Sequence, residues 1–214
     1  MCFSATASFV AGTALSAVGV ATIKKAKRKA EIPFATIPLL FGIQQLIEGI
    51  VWLSFSNPTL NVISTYAYSM FSHVLWPIFV PVAILLLEKD HVRKKILRVF
   101  TGIGLAVGIF LLYFIFRDGI ISQIVNQSVS YNSPHLYLPL VLTLYVFATC
   151  ISFLISSDKM INIIGIVMLA SFLTAGLFFS ATFISVWCFF AAILSFIIFL
   201  YFYRRNKLES KLNE

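Results

Sequence analysis

Glu48 is the residue whose chemistry is hardest to house in this sequence. It lies in Phe41-Gly42-Ile43-Gln44-Gln45-Leu46-Ile47-Glu48-Gly49-Ile50-Val51-Trp52, inside an apolar run long enough to cross a membrane. An ionised carboxylate at bilayer depth costs at least ~2.5–3.5 kcal/mol, so such a residue must face other helices. Gln44, Gln45, Glu48 and Trp52 recur at three- and four-residue spacing and share one broad helical face. The next apolar run offers a matching face in Tyr66, Ser69, His73 and Trp76. On the last run Ser185, Cys188, Ala192 and Ser195 make a small polar face, with Trp187 beside it. A carboxyl group and an imidazole held together away from water can exchange a proton near neutral pH. They can equally hold a small ligand or a lipid headgroup. The candidate ligand-binding residues are therefore Gln44, Gln45, Glu48, Trp52, Ser69, His73, Trp76, Ser185, Trp187 and Cys188, expected as an outward-facing pocket of sensor or transporter type.

Two other readings use the same residues. Cys2, Glu48, His73 and Cys188 are of types that bind zinc, as in a membrane-embedded metal-binding protein or metalloenzyme. No His-Glu-x-x-His spacing supports that reading, and only one histidine lies within an apolar run. The plainest reading is structural: the polar groups pin neighbouring helices by hydrogen bonds averaging about 0.6 kcal/mol each. The residues leave open whether the site is enzymatic.

The elements that must position these groups follow from composition. The chain has 214 residues, 60% hydrophobic and 11% charged, with a mean hydropathy of +0.96. Soluble domains carry about 25% charged residues, so a chain this apolar has the bilayer as its solvent. A net charge of +8 taken alone suggests nucleic acid, but its distribution argues against that. Five of the sixteen Lys and Arg lie in Lys24–Lys29, five between Lys89 and Arg98, and four from Arg204 to Lys211. Basic clusters just beyond apolar spans mark cytoplasmic segments. Near the surface they can also attract anionic lipid headgroups, at about 1 kcal/mol per residue. The three cysteines form no disulfide or CxxC pattern.

Seven apolar runs are spaced accordingly: Ser4–Ile23, Pro33–Phe55, Val62–Leu87, Ile96–Phe116, Leu136–Ile155, Ile161–Phe179 and Phe183–Tyr203. The expected fold is all-α and polytopic, with seven transmembrane helices, the N-terminus outside and the C-terminus inside. A single transmembrane domain (1–203) would precede a basic cytoplasmic tail (204–214). Ser4, Ser8, Gly12 and Ser16 form a small-residue stripe for close helix packing. Pro77 and Pro81 predict a kink in the third helix just after His73. The connection Arg117–Pro134 reads as an outer loop with a short interfacial helix near Ile120–Val125, and Tyr201 and Tyr203 as part of an aromatic belt.

Some seven-helix families are set aside by their residues. No lysine stands in Phe183–Tyr203 to bind retinal, so no retinal is expected. The last run has no histidine of the kind that alkaline-ceramidase relatives carry, and the Asp-Arg-Tyr and Asn-Pro-x-x-Tyr signatures of G-protein-coupled receptors are missing. The opening Met-Cys-Phe-Ser-Ala-Thr-Ala-Ser-Phe, Gln44-Gln45-x-x-Glu48-Gly49-x-x-Trp52, His73-x-x-Trp76-Pro77 and Ser185-x-Trp187-Cys188-Phe189 resemble an uncharacterised family of small bacterial seven-helix membrane proteins. That resemblance implies the seven-helix fold and a prokaryotic cytoplasmic membrane, with no activity to carry over.

Overall fold

The computed structural model describes residues 4–212, with side chains to residue 207. Six helices are long and apolar enough to cross a membrane, so the chain is an all-α polytopic membrane protein. We number them with the shorter helix between: α1 (Ala5–Ile23), α2 (Ile32–Ser54), α3 (Pro58–Leu87), α4 (His91–Asp118), α5 (Pro139–Ile155), α6 (Lys159–Phe178) and α7 (Ser180–Lys207).

Their starts are written in local chemistry. Ser4, Asn57, Asp90 and Asp158 each accept a backbone N–H of the following turn, at 3.2, 3.1, 2.8 and 2.9 Å. Pro33, Pro58 and Pro139 sit in first turns, where the missing N–H costs nothing. The small-residue stripe packs α1 on α2 as its spacing predicts. A Cβ on Gly19 would stand 2.4 Å from the Leu39 nitrogen, and one on Gly42 2.5 Å from Ser16 Oγ.

Three expectations change. The kink in α3 falls upstream of the prolines, as a π-helical turn over Met70–Leu75 with the Trp76 N–H bonded to the Phe71 carbonyl. A proline ring crowds the carbonyl four residues before it, and widening the preceding turn relieves that. A second π turn, Phe147–Ile151, interrupts α5 without any proline. In place of the interfacial helix there is a β-hairpin, β1 (Ile121–Val125) paired antiparallel with β2 (Ser128–Asn132). Its two-residue turn places Asn126 and Gln127 at φ 48° and 57°, the left-handed pair of a type I′ turn. Tyr201 does not join a lipid-facing belt: it is buried, and its hydroxyl donates to Asp158 Oδ2 at 2.9 Å.

The connections gather at two ends. Lys27, Arg28 and Glu31 meet Lys89, Ser156–Asp158 and the Tyr201–Arg205 turn of α7 at one end, which carries most of the charge. The hairpin covers the other. There Asn61 Nδ2 donates to Ser122 Oγ (3.1 Å), the Thr65 and Ser122 hydroxyls bond at 2.8 Å, and Ser130 Oγ donates to the Ala181 carbonyl (2.8 Å).

Candidate functional site

Glu48 faces the bundle interior and is fully buried. Ser185 Oγ donates to its Oε1 at 2.5 Å, joining α2 to α7 across 137 residues of sequence, and Gln45 Nε2 donates to Oε2 at 3.3 Å. One turn back on α2, Gln44 Oε1 accepts from Trp76 Nε1 of α3 at 2.7 Å. The Trp76 ring stacks on Phe41, centroids 3.9 Å apart. The Cys188 thiol lies near the Gln44 and Tyr68 side chains. Seven of the ten candidate residues thus fall into one connected group: Gln44, Gln45, Glu48, Trp76, Ser185, Cys188 and Trp187, the last through its place on α7 between Ser185 and Cys188.

His73 is fully buried in the π turn of α3, its Nδ1 hydrogen-bonded to Ser72 Oγ at 2.8 Å. The Tyr145 hydroxyl donates to the Ser72 carbonyl, so the π turns of α3 and α5 are tied together. No hydrogen bond joins His73 to Glu48 among the described residues; Nε2 of the imidazole has no partner there. Gln44 Nε2, Gln45 Oε1, Ser69 Oγ and Trp187 Nε1 are likewise buried without one. Trp52 stands apart, half-buried nearer the hairpin end, with its ring edge-on to Phe55 at 6.4 Å. Cys2 lies outside the described residues. Among the described ones, no three His, Cys, Asp or Glu side chains come close enough to hold a metal ion.

The hairpin lies on one side of this group. Tyr131 of the hairpin stacks parallel on Tyr68, with centroids 4.3 Å apart. A cavity adjoins the cluster on its other side, toward the charged end. It measures about 30 Å³, and Phe41, Trp76, Trp187, Tyr145, Met168 and Ile198 are among its apolar walls. One water needs roughly 10–15 Å³ by the same measure, so the space admits a very small molecule and nothing larger.

The sequence gives little warning of the charged end. There Glu31 is buried beneath a fork of donors: Arg205 Nη1 and Nη2 at 2.9 and 2.8 Å, Arg28 Nε at 2.6 Å, and the Lys27 N–H at 2.9 Å. Glu88 accepts the Lys89 and Asp90 N–H groups at 2.8 and 2.9 Å. It also takes the N–H and hydroxyl of Ser157, both at 2.7 Å. Burial raises the Glu88 carboxyl, but these bonds from Asp90, Ser157 and Lys89 outweigh it and hold the group at about 2. The sole advance sign is that Glu31 and Glu88 each stand in a basic run beside an apolar span.

Fold and site together define a polytopic helical membrane protein with a polar cluster sealed in its core. The chain belongs to the Family of unknown function (DUF6629), whose model matches residues 1–213. Neither a curated protein nor a solved structure matches it.

Proposed function

We propose that the chain is a seven-helix protein of a prokaryotic cytoplasmic membrane, N-terminus outside and C-terminus inside, whose Glu48 cluster binds a proton or a small polar ligand in a sensor or transporter. α5 supplies the seventh span: its 17 residues reach the short end of the range that crosses a bilayer. Orientation rests on the basic segments, which meet at one end. Reporters fused after Lys29 and Glu88 are expected to read cytoplasmic, and those after Asn57 and Asn126 external. A cytoplasmic reading at Asn126 overturns the topology.

One observation carries the site. Among the described residues, polar atoms of Gln44, Gln45, Ser69, His73 and Trp187 are buried without partners on the helices around the Glu48 carboxylate. Each such atom costs about 1–3 kcal/mol. A cluster serving only to pin helices would have its groups satisfied, as buried polar groups generally are. Infrared difference spectra of the purified protein between pH 5 and 8 test the proton-binding form. A carboxyl band that disappears in Glu48→Gln is the expected result. A wild type without that band, with Glu48→Gln silent in every assay, leaves Glu48 as a helix pin and ends the reading.

A further inference from the structure

The charged end carries a second feature, independent of Glu48. Three connections and α7 enclose a cleft of about 580 Å³, far larger than the core cavity. Lys27, Arg28, Lys89 and Arg205 line it, against Glu31 and Asp158. Both carboxylates are already engaged. Glu31 holds the Arg28 and Arg205 guanidinium groups, while Asp158 accepts the Met160 N–H at 2.9 Å and the Tyr201 hydroxyl at 2.9 Å.

Glu31 therefore acts as a brace. It fixes two guanidinium groups at the cleft, and Arg205 is steadied further over the Phe202 ring at 5.0 Å. Orientation in advance lowers the entropy lost when an anion is gripped. The surroundings reinforce the charge: segments 24–31, 88–95, 156–159 and 204–207 hold thirteen Lys and Arg against four Asp and Glu. A simple solvated surface needs neither a cleft nor braced guanidinium groups.

We propose that this cleft is a binding site for a phosphate-bearing anion, gripped by Lys27, Arg28, Lys89 and Arg205. Guanidinium and ammonium groups pair with phosphate oxygens through short charge-assisted bonds. The cleft's place at the ends of apolar helices brings it level with lipid headgroups, and its openness to water also admits a soluble phosphate compound. Both sources present the same chemistry.

The test uses the full chain in nanodiscs of zwitterionic lipid, probed separately with inorganic phosphate and with phosphatidylglycerol added to the disc. Each response is read as the rise in the protein's own thermal midpoint. Wild type should give a saturable rise with at least one probe. Lys27→Gln with Lys89→Gln should raise the half-saturating concentration at least about tenfold, the effect of losing roughly 1.4 kcal/mol of binding. Lys24→Gln with Lys95→Gln removes the same charge outside the cleft and should leave it nearly unchanged. A response to phosphate marks a soluble ligand; a response to phosphatidylglycerol alone marks a headgroup. Equal losses in the two pairs would reduce the effect to diffuse surface charge, and no saturable response to either probe would remove the site. Both results overturn the proposal, and neither touches the Glu48 reading.

Discussion

Glu31, just ahead of α2, and Glu48, toward that helix's far end, are two buried carboxylates, and the protein treats them differently. Glu31, at the charged end, is surrounded by matched charge: both oxygens are taken, and two arginines balance it. Glu48, in the core, has no arginine or lysine among its described partners; a serine hydroxyl and a glutamine amide hold it. Around it stand buried polar atoms with no partner among the described residues. A satisfied carboxylate is a fastening. A carboxylate whose described partners are neutral donors, placed where water is scarce and polar groups are costly, has the character of a site.

The largest effect should come from undoing the fastening. Glu31→Ala leaves Arg205 without its fork and Arg28 without its Nε acceptor, and should cost about 3 kcal/mol, the lower end for breaking a buried pair by removing one partner. Thermal unfolding in detergent or nanodiscs measures it. A loss no larger than that of an exposed surface pair would mean Glu31 is not the anchor described here.

In the core the comparison sharpens with two substitutions at one position. Glu48→Leu removes the acceptor of Ser185 Oγ and Gln45 Nε2 and should cost about 2 kcal/mol through the loss of those two bonds. Glu48→Gln keeps the shape and an acceptor, so it should cost under about 1 kcal/mol. A large loss with Gln as well would make the negative charge itself structural, bringing Glu48 closer to Glu31 than its partners imply.

Much of the fold was legible because its causes are local. The apolar runs mark the helices, though capping by Asn57, Asp90 and Asp158 starts three of them a few residues before Val62, Ile96 and Ile161, and the α1–α2 contact follows from the small-residue stripe. The polar faces of α2, α3 and α7 were readable from spacing, and they do converge in Gln44–Trp76 and Glu48–Ser185. What sequence could not supply was rotation and depth. A π turn shifts every residue after it by a fraction of a turn, and Met70–Leu75 places His73 against Ser72 with no bond to Glu48. The hairpin was missed because Val125-Asn126-Gln127-Ser128 lacks the Asn-Gly pair that most often marks such a turn, and its strands are short. The Glu31–Arg205 fork spans 174 residues, and no local pattern announces a contact of that range.

The smallest effect separates the two ends by pH. Glu88 belongs with Glu31 as a satisfied carboxylate, and its bonds hold it at about 2 against an ordinary value of 4.5. A lowered folded-state value means the bonds stabilise the protein fully above about pH 4.5, and that this contribution fades as pH falls toward 2. The unfolding midpoint should therefore drop through that acid window. Glu88→Gln, which has no proton to take up, should show a shallower drop there and an unchanged profile between pH 5 and 8. A pH response inside that neutral window that vanishes with Glu48→Gln then belongs to the core. If Glu88→Gln leaves the acid slope intact, the bonds from Ser157, Asp90 and Lys89 do not fasten this end. If it alters the neutral profile, the two regions are coupled and the division between fastening and site fails.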